Sequence, residues 1–281
     1  MTWFASPSEA VTRLRQTGYL SDDAIATSVF LAGVLEKPLL AEGPAGVGKT
    51  QLAKAIAEAT GADLVRLQCY EGLDEARALY EWNYKKQLLR IQADDDAWDD
   101  IFAEEFLLER PLLKAIRSDR PTVLLIDETD KADVEVEGLL LEILSDFQIT
   151  IPELGTVAAT RKPFVVLTSN ATRELSEALK RRCLYLHLDY PTPERERDIV
   201  LAQVPGIAET VAEQLARTAA TLRALELKKS PSIAETVDWA HTLLALGREV
   251  LDEQTIAETL GVVLKHHSDQ QRAAKELGLR A

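Results

Sequence analysis

Gly43-Pro44-Ala45-Gly46-Val47-Gly48-Lys49-Thr50 is the stretch on which the reading of this chain turns. A glycine, four residues and then Gly-Lys-Thr form a phosphate-binding pattern. Its glycines let the main chain turn tightly and aim N–H groups inward, which makes a nest for phosphate oxygens. In that pattern Lys49 supplies a positive charge at the β/γ-phosphates, and the Thr50 hydroxyl serves Mg²⁺. The flanks agree. Lys37-Pro38-Leu39-Leu40-Ala41-Glu42 reads as a short buried strand, and Gln51 to Ala59 as a helix with an apolar stripe at Leu52, Ile56 and Ala59. The helix thus turns the positive end of its dipole toward the phosphates. A chance glycine-rich turn has no reason to sit between a strand and a helix in this order.

The bulk numbers narrow the field. At 281 residues the chain is long enough for one large α/β domain and a small one. Hydrophobic residues at 46% and charged residues at 28% are ordinary for a globular protein. A formal net charge of −14 argues against nucleic acid or anionic lipid as a partner, and the longest basic run is Lys180-Arg181-Arg182. Cys69 and Cys183 form no disulfide framework and have no metal-ligand spacing. With no signal pattern and no apolar run long enough to span a bilayer, the expectation is a soluble cytoplasmic protein.

Going outward from the loop, residues up to about Gly18 read as a helix, and Ser21-Asp22-Asp23 caps a second one through Leu35, with the serine as N-cap. Asp63 to Cys69 alternates as a strand. Tyr70 to about Arg90 is an aromatic-rich insertion, read first as a capping piece of core and second as a partner-facing element. Asp94-Asp95-Asp96 and Asp99-Asp100 read as a solvated loop rather than a divalent-metal site, leading into a helix near Ile101 to Ile116.

Pro121-Thr122-Val123-Leu124-Leu125-Ile126-Asp127-Glu128 is an unbroken apolar strand ending in two carboxylates. Strands buried on both faces belong to parallel sheets, whose ligands sit beyond the carboxyl ends. Asp127 is suited to hold Mg²⁺ and Glu128 to polarise an attacking water, more than to cap the helix that follows. A helix near Asp133 to Phe147 leads to a hairpin across Pro152-Glu153-Leu154-Gly155. Phe164 to Asn170 is a further buried strand that brings Asn170 to the same sheet edge as Glu128. Glu174 to Arg182 reads as a short helix, and Cys183 to Leu188 closes the sheet. The prolines of Asp189-Tyr190-Pro191-Thr192-Pro193 mark a boundary. Beyond it the chain reads as helices, with one apolar face at Ile207, Val211, Leu215, Leu222 and Leu225 and another at Leu243, Leu244 and Leu246. Helices over Ser232 to Leu246 and Glu253 to Lys265 complete a bundle, and His266-His267 is an isolated pair rather than a metal site.

Taken together these motifs resemble the AAA+ ATPases, and within them the MoxR group. Leu67 to Leu73, Tyr80 to Tyr84, Leu144 to Gln148, Ile151 to Thr156 and Leu179 to Tyr185 look like its CoxD-like branch, which is associated with maturing molybdenum-containing carbon monoxide dehydrogenase. The resemblance implies a P-loop AAA+ core with a five-stranded parallel sheet between helices over residues 1–190, then a small all-helical lid domain over 191–281. It implies ATP and Mg²⁺ held by Gly43 to Thr50, Gln51 and Asp127, with Thr50 and Asp127 serving the metal. Asn170 would position the lytic water with Glu128, and Arg182, or Arg181 beside it, would be the finger reaching a neighbour's γ-phosphate. A homo-hexamer, a von Willebrand-A-type partner and a client metalloenzyme are the expected company. Two residues depart from the pattern. MoxR relatives usually carry Ser-Pro-Arg, with the arginine as sensor 2, where this chain has Ser230-Pro231-Ser232, which leaves either Lys229 or Lys228 as the substitute or a lid weakly coupled to nucleotide, and Cys183 stands where phenylalanine is commoner.

The rival readings are a P-loop small-molecule kinase or GTPase, a nucleic-acid motor, and a binding module that holds nucleotide without cycling. The second is opposed by the charge. The first lacks an Asn/Thr-Lys-x-Asp guanine-reading motif, and Asp127-Glu128 after a buried strand favours attack by water.

Overall fold

The computed structural model describes residues 2–93 and 101–279. The acidic Asp94-Asp95-Asp96 and Asp99-Asp100 lie outside the described residues. The chain divides into two compact units. One comprises the segments up to Thr17, Ser21–Gly43 and Lys49–His187; the other comprises Gly18–Leu20, Pro44–Gly48 and everything from Leu188 onward.

The first unit begins with α1 (Pro7–Gln16) and α2 (Asp23–Leu35). Asp22, not Ser21, caps α2: its carboxylate accepts the Ile25 N–H at 2.8 Å, while the buried Ser21 hydroxyl has no hydrogen-bond partner among the described residues. The ionised side chain is the stronger acceptor for an exposed helix N–H. Then come β1 (Leu39–Glu42), α3 (Lys49–Thr60) and β2 (Asp63–Gln68). The insertion folds as α4 (Glu75–Ala78), β3 (Tyr80–Trp82) and α5 (Tyr84–Ala93), and β4 (Leu107–Glu109) comes after it. Leu73, Leu79 and Trp82 join the core, whereas Tyr70 and Tyr84 stay exposed.

The single helix expected near Ile101 to Ile116 is absent. Leu107–Glu109 instead pairs antiparallel with Tyr80–Trp82, and a new helix, α6 (Pro111–Arg117), starts with its proline in the first turn. Proline suits that position because its missing N–H would be unpaired there anyway.

β5 (Thr122–Asp127) is buried at every position, as is β8 (Phe164–Ser169). Between them lie α7 (Val134–Asp146) and a hairpin of β6 (Gln148–Ile151) and β7 (Gly155–Ala158). α8 (Glu177–Arg182) starts three residues later than expected because Ser176 is its N-cap, and β9 (Leu184–His187) follows. The five-stranded sheet runs β2-β5-β8-β1-β9, with every neighbouring pair parallel. That order sets Gln68 beside Asp127 and Glu42 beside Ser169 at the carboxyl edge. Leu40, Leu67, Leu124, Ile126, Val165 and Leu167 form its apolar centre. The expected parallel α/β core followed by a helical region is what the chain adopts.

The second unit carries α9 (Pro193–Gln203), α10 (Glu209–Ala224), α11 (Ile233–Ala245), α12 (Glu253–Val263) and α13 (His267–Glu276). Val211, Leu215 and Leu222 face its core around the fully buried Trp239, whose indole N–H donates to Thr259 Oγ1 at 2.7 Å. Of the second expected face only Leu243 is buried; Leu244 and Leu246 are exposed, because α11 ends at Ala245 and its core stripe runs through Thr236, Trp239, Ala240 and Leu243. α13 was not foreseen, its composition being too polar to show a stripe. Arg223 and Glu196 form a buried bidentate pair, and the same guanidinium donates to the Pro231 carbonyl and lies 4.4 Å over the Tyr190 ring. Among the described residues no helix is long and apolar enough to cross a membrane.

Candidate functional site

In the first unit, β1, β5 and β8 deliver Glu42, Asp127 and Ser169 to one edge of the sheet, and α3 starts beside them with Lys49 and Thr50. Lys49 is only 6% exposed and donates to the Gly43 carbonyl at 2.7 Å. Burial lowers its pKa, opposed by the fields of Asp130, Asp127, Glu128 and Glu42. The loop's own ammonium therefore sits among carboxylates, partly dehydrated.

Asp127 is nearly inaccessible and fully engaged. Its Oδ1 accepts the hydroxyls of Thr50 at 2.9 Å and Thr168 at 2.6 Å, and its Oδ2 accepts the Arg66 guanidinium at 2.5 Å. Glu128 has left-handed backbone angles, φ 57° and ψ 47°. A non-glycine residue in that region costs of order 1 kcal/mol or more, so the surrounding contacts must hold it there. Thr168 Oγ1 accepts the Glu128 N–H at 2.9 Å while donating to Asp127, which links the two acids. Glu128 Oε2 accepts from Gln68 Nε2 and Lys131 Nζ, each at 2.8 Å, and Asn170 Nδ2 is 3.5 Å from Oε1. The hydrogen bond to Glu128 in turn raises the Lys131 pKa.

Asn170 is placed by Asp130. That buried carboxylate accepts the N–H groups of Asn170 and Thr172 and the Thr172 hydroxyl. Burial works to raise the Asp130 pKa, but the bonds from Thr172 and Asn170 outweigh it and hold the group ionised below the usual range. Glu137, also buried, pairs with Arg173 and accepts the Ser176 N–H at 3.0 Å, pinning the turn that leads to α8. Cys69, next to Gln68, has its thiol pushed up to about 12 by burial and by Asp127, Asp130 and Glu128. It is inert at neutral pH.

Lys49, Thr50, Asp127, Glu128 and Asn170 are thus brought together. Arg182 is elsewhere in the same unit: its Nε donates to Ser145 Oγ on α7 at 2.7 Å, and Arg181 beside it is exposed. Arg66, Gln68 and Thr168 were missed by sequence reasoning. Alternation along β2 puts Arg66 and Gln68 on one face, but only the register with β5 shows that this face meets the carboxylates.

The second unit holds Pro44 to Gly48. Gly46 and Gly48 have φ of 76° and 95°, which favour glycine. The Gly46 carbonyl accepts the Ile233 N–H at 3.1 Å, and a Cβ on Gly46 would lie 2.1 Å from Ser232 Cβ. The start of α11 therefore rests directly on the loop. Tyr190 Oη donates to the Ala45 carbonyl at 3.4 Å, and Tyr19 Cε2 comes within 3.7 Å of a Cβ built on Gly48. Val47 is buried. The Lys229 ammonium pairs with Glu235 at 3.2 Å, and Glu235 completes a capping box with Ser232.

A proline at the first position of a helix is compatible with helical geometry, and Ser232 already has the extended backbone that precedes a proline. Ile233→Pro should therefore leave α11 helical by circular dichroism. It removes the N–H that meets Gly46 and sets a ring methylene against that carbonyl. The melting temperature is expected to fall by about 2–4 °C, the cost of one lost main-chain hydrogen bond.

The donor set suits a magnesium nucleotide. Within the first unit the Thr50 hydroxyl and Asp127 carboxylate are hard oxygen donors already in contact, and within the second Gly46 and Gly48 have the positive φ that a phosphate nest uses. Among the described residues no group of three or more His, Cys, Asp or Glu side chains could hold a metal ion on its own.

Comparison with known proteins agrees with this geometry. The family model of the AAA domain, dynein-related subfamily, matches residues 38–183. An uncharacterized protein of Staphylococcus haemolyticus is 25% identical over 252 residues, 85% of this chain and 90% of its own length. One from Staphylococcus aureus is 27% identical over 219 residues, 75% of this chain and 77% of its own. The denitrification regulatory protein NirQ of Pseudomonas aeruginosa is 25% identical over 206 residues, 71% and 72% of the two chains.

Proposed function

We propose, from the premise that this chain belongs to the AAA domain family, dynein-related subfamily, that it hydrolyses ATP in an oligomeric ring and uses the cycle to remodel a client metalloenzyme. It is an AAA+ protein of the MoxR type, as the NirQ similarity supports. The observation that carries the hydrolytic reading is the pair of adjacent acids with divided duties. Asp127 is tied to the Thr50 hydroxyl, and Glu128 is turned by its backbone toward Gln68, Lys131 and Asn170.

In this reading the Gly43 to Thr50 main chain and Gln51 hold the nucleotide, and Lys49 leaves the Gly43 carbonyl for the β/γ-phosphates. Thr50 and Asp127 would hold Mg²⁺, which when bound neutralises phosphate charge and orients the triphosphate. Glu128 takes a proton from a water positioned with Asn170. The water oxygen bonds to the γ-phosphorus as the bond to the β-phosphate oxygen breaks, giving ADP and phosphate. Arg182, with Arg181 as its neighbour, faces the next protomer's γ-phosphate in a homo-hexamer. Among the described residues its side chain is engaged by Ser145 and by its own helix, both exposed contacts that a neighbour can replace.

The client reading rests on the CoxD-like strings, which point to a molybdenum-containing carbon monoxide dehydrogenase-like enzyme and a von Willebrand-A-type partner in the cytoplasm. The hairpin from Ile149 to Thr160 and the helical region would act on the client. NirQ, which this chain resembles, is named as a denitrification regulatory protein. A second reading, a nucleotide-regulated binding module, is favoured by one observation: the cations at the Ser230-Pro231-Ser232 departure are committed, Lys229 to Glu235 and Arg223, which donates to the Pro231 carbonyl, to Glu196.

Phosphate release in multiple turnover decides between them. The specific activity is expected to rise with protein concentration, as sites shared between protomers require. Stoichiometric binding with no turnover at any concentration, even with the client present, would establish the binding module instead. A phosphorylated metabolite in place of free phosphate would make it a kinase.

A further inference from the structure

We propose that Arg66 is a positioning residue that sets how tightly the site takes its divalent cation, by occupying Asp127 until a cation arrives. This role presupposes the magnesium-nucleotide site described above. Three observations lead to it.

First, the two oxygens of Asp127 are treated differently. Neutral hydroxyls, from Thr50 and Thr168, take Oδ1, and a full positive charge, the Arg66 guanidinium at 2.5 Å, takes Oδ2. Second, the pair is lopsided. The Asp127 side chain is 3% exposed and that of Arg66 is 47% exposed. A buried carboxylate without a countercharge is costly, so Asp127 needs a cation at all times. The half-exposed guanidinium can return to water at small cost when another cation takes over. Third, the other cations nearby also bond other groups, although the field of Asp127 reaches Lys49. Lys49 donates to the Gly43 carbonyl and Lys131 to Glu128. Gln68 Oε1 accepts from the same Arg66 nitrogen that meets Asp127, which steers the guanidinium toward the sheet edge.

Mg²⁺ requires hard oxygen ligands in near-octahedral order and is repelled by a guanidinium at hydrogen-bonding range. It must either displace Arg66 from Asp127 or bind against its charge. In both cases Arg66 raises the Mg²⁺ concentration the site requires. An ion pair serving stability alone would change the melting temperature on removal and leave the metal requirement where it was.

The test uses the full chain and a fluorescent ADP analogue, titrated with MgCl₂ at fixed nucleotide, with the metal-free affinity measured for each protein as baseline. Arg66→Gln is expected to lower the half-saturating Mg²⁺ about tenfold. Arg66→Lys, which keeps the charge, should stay nearer the parent. An unchanged or higher Mg²⁺ requirement in Arg66→Gln would overturn the role of Arg66 while leaving the nucleotide site intact. Failure of the unaltered protein to bind the analogue at any Mg²⁺ concentration would overturn the nucleotide site and this role with it. The two failures are therefore distinguishable.

Discussion

Glu128→Gln should bind ATP about as tightly as the parent protein and hydrolyse it about 10²–10⁴-fold more slowly. The substitution keeps the shape of the side chain and an oxygen that can still accept from Gln68, but it removes the base. It also ends the ion pair with Lys131, an exposed contact of small energetic value, so the fold should survive. Equilibrium binding and phosphate release on the same preparation separate the two effects. Undiminished turnover would remove Glu128 from the chemistry. Because the variant stalls with ATP bound, it is also the form in which to capture a client: a metalloenzyme retained with ATP and released with ADP is the expected result.

Arg182→Ala should lose more, roughly 10³–10⁵ in turnover, if its guanidinium completes a neighbour's site. Its hydrogen bond to Ser145 is an exposed one, so stability should barely change. The decisive measurement is a mixture. Glu128→Gln subunits retain the arginine and Arg182→Ala subunits retain the base, so mixed rings contain some complete sites and recover activity that neither variant has alone. An arginine acting within its own subunit would give no recovery on mixing. Arg181→Ala serves as the comparison, and a loss confined to it would transfer the role to that residue.

What could be read beforehand was local, and what could not depended on distant partners. Gly43 to Thr50 and the apolar run into Asp127-Glu128 announce themselves because a turn needs glycine and a strand buried on both faces needs unbroken apolar residues. The parallel sheet followed from three such strands. Leu107–Glu109 is different: nothing within it demands a strand, and it becomes one because Tyr80–Trp82 offers an edge. Arg66 and Gln68 look like solvated alternation until β2 is placed beside β5. The N-cap of α2 was missed by one residue, since Ser21 and Asp22 are both good caps and the choice lies in which side chain reaches Ile25. α13 hides its buried Asp269 and Ala273 in a stretch that is otherwise polar.

The bond between Ile233 and Gly46 joins main chain to main chain, so it does not depend on which side chain stands at position 232. Thermodynamic reciprocity then applies. A ligand that reshapes the loop so as to alter this bond changes the free energy of the first turn of α11, and a partner that grips α11 so as to alter it changes the loop's affinity by the same factor. A protein that leans on this helix could thereby change what the loop holds without touching the ligand itself.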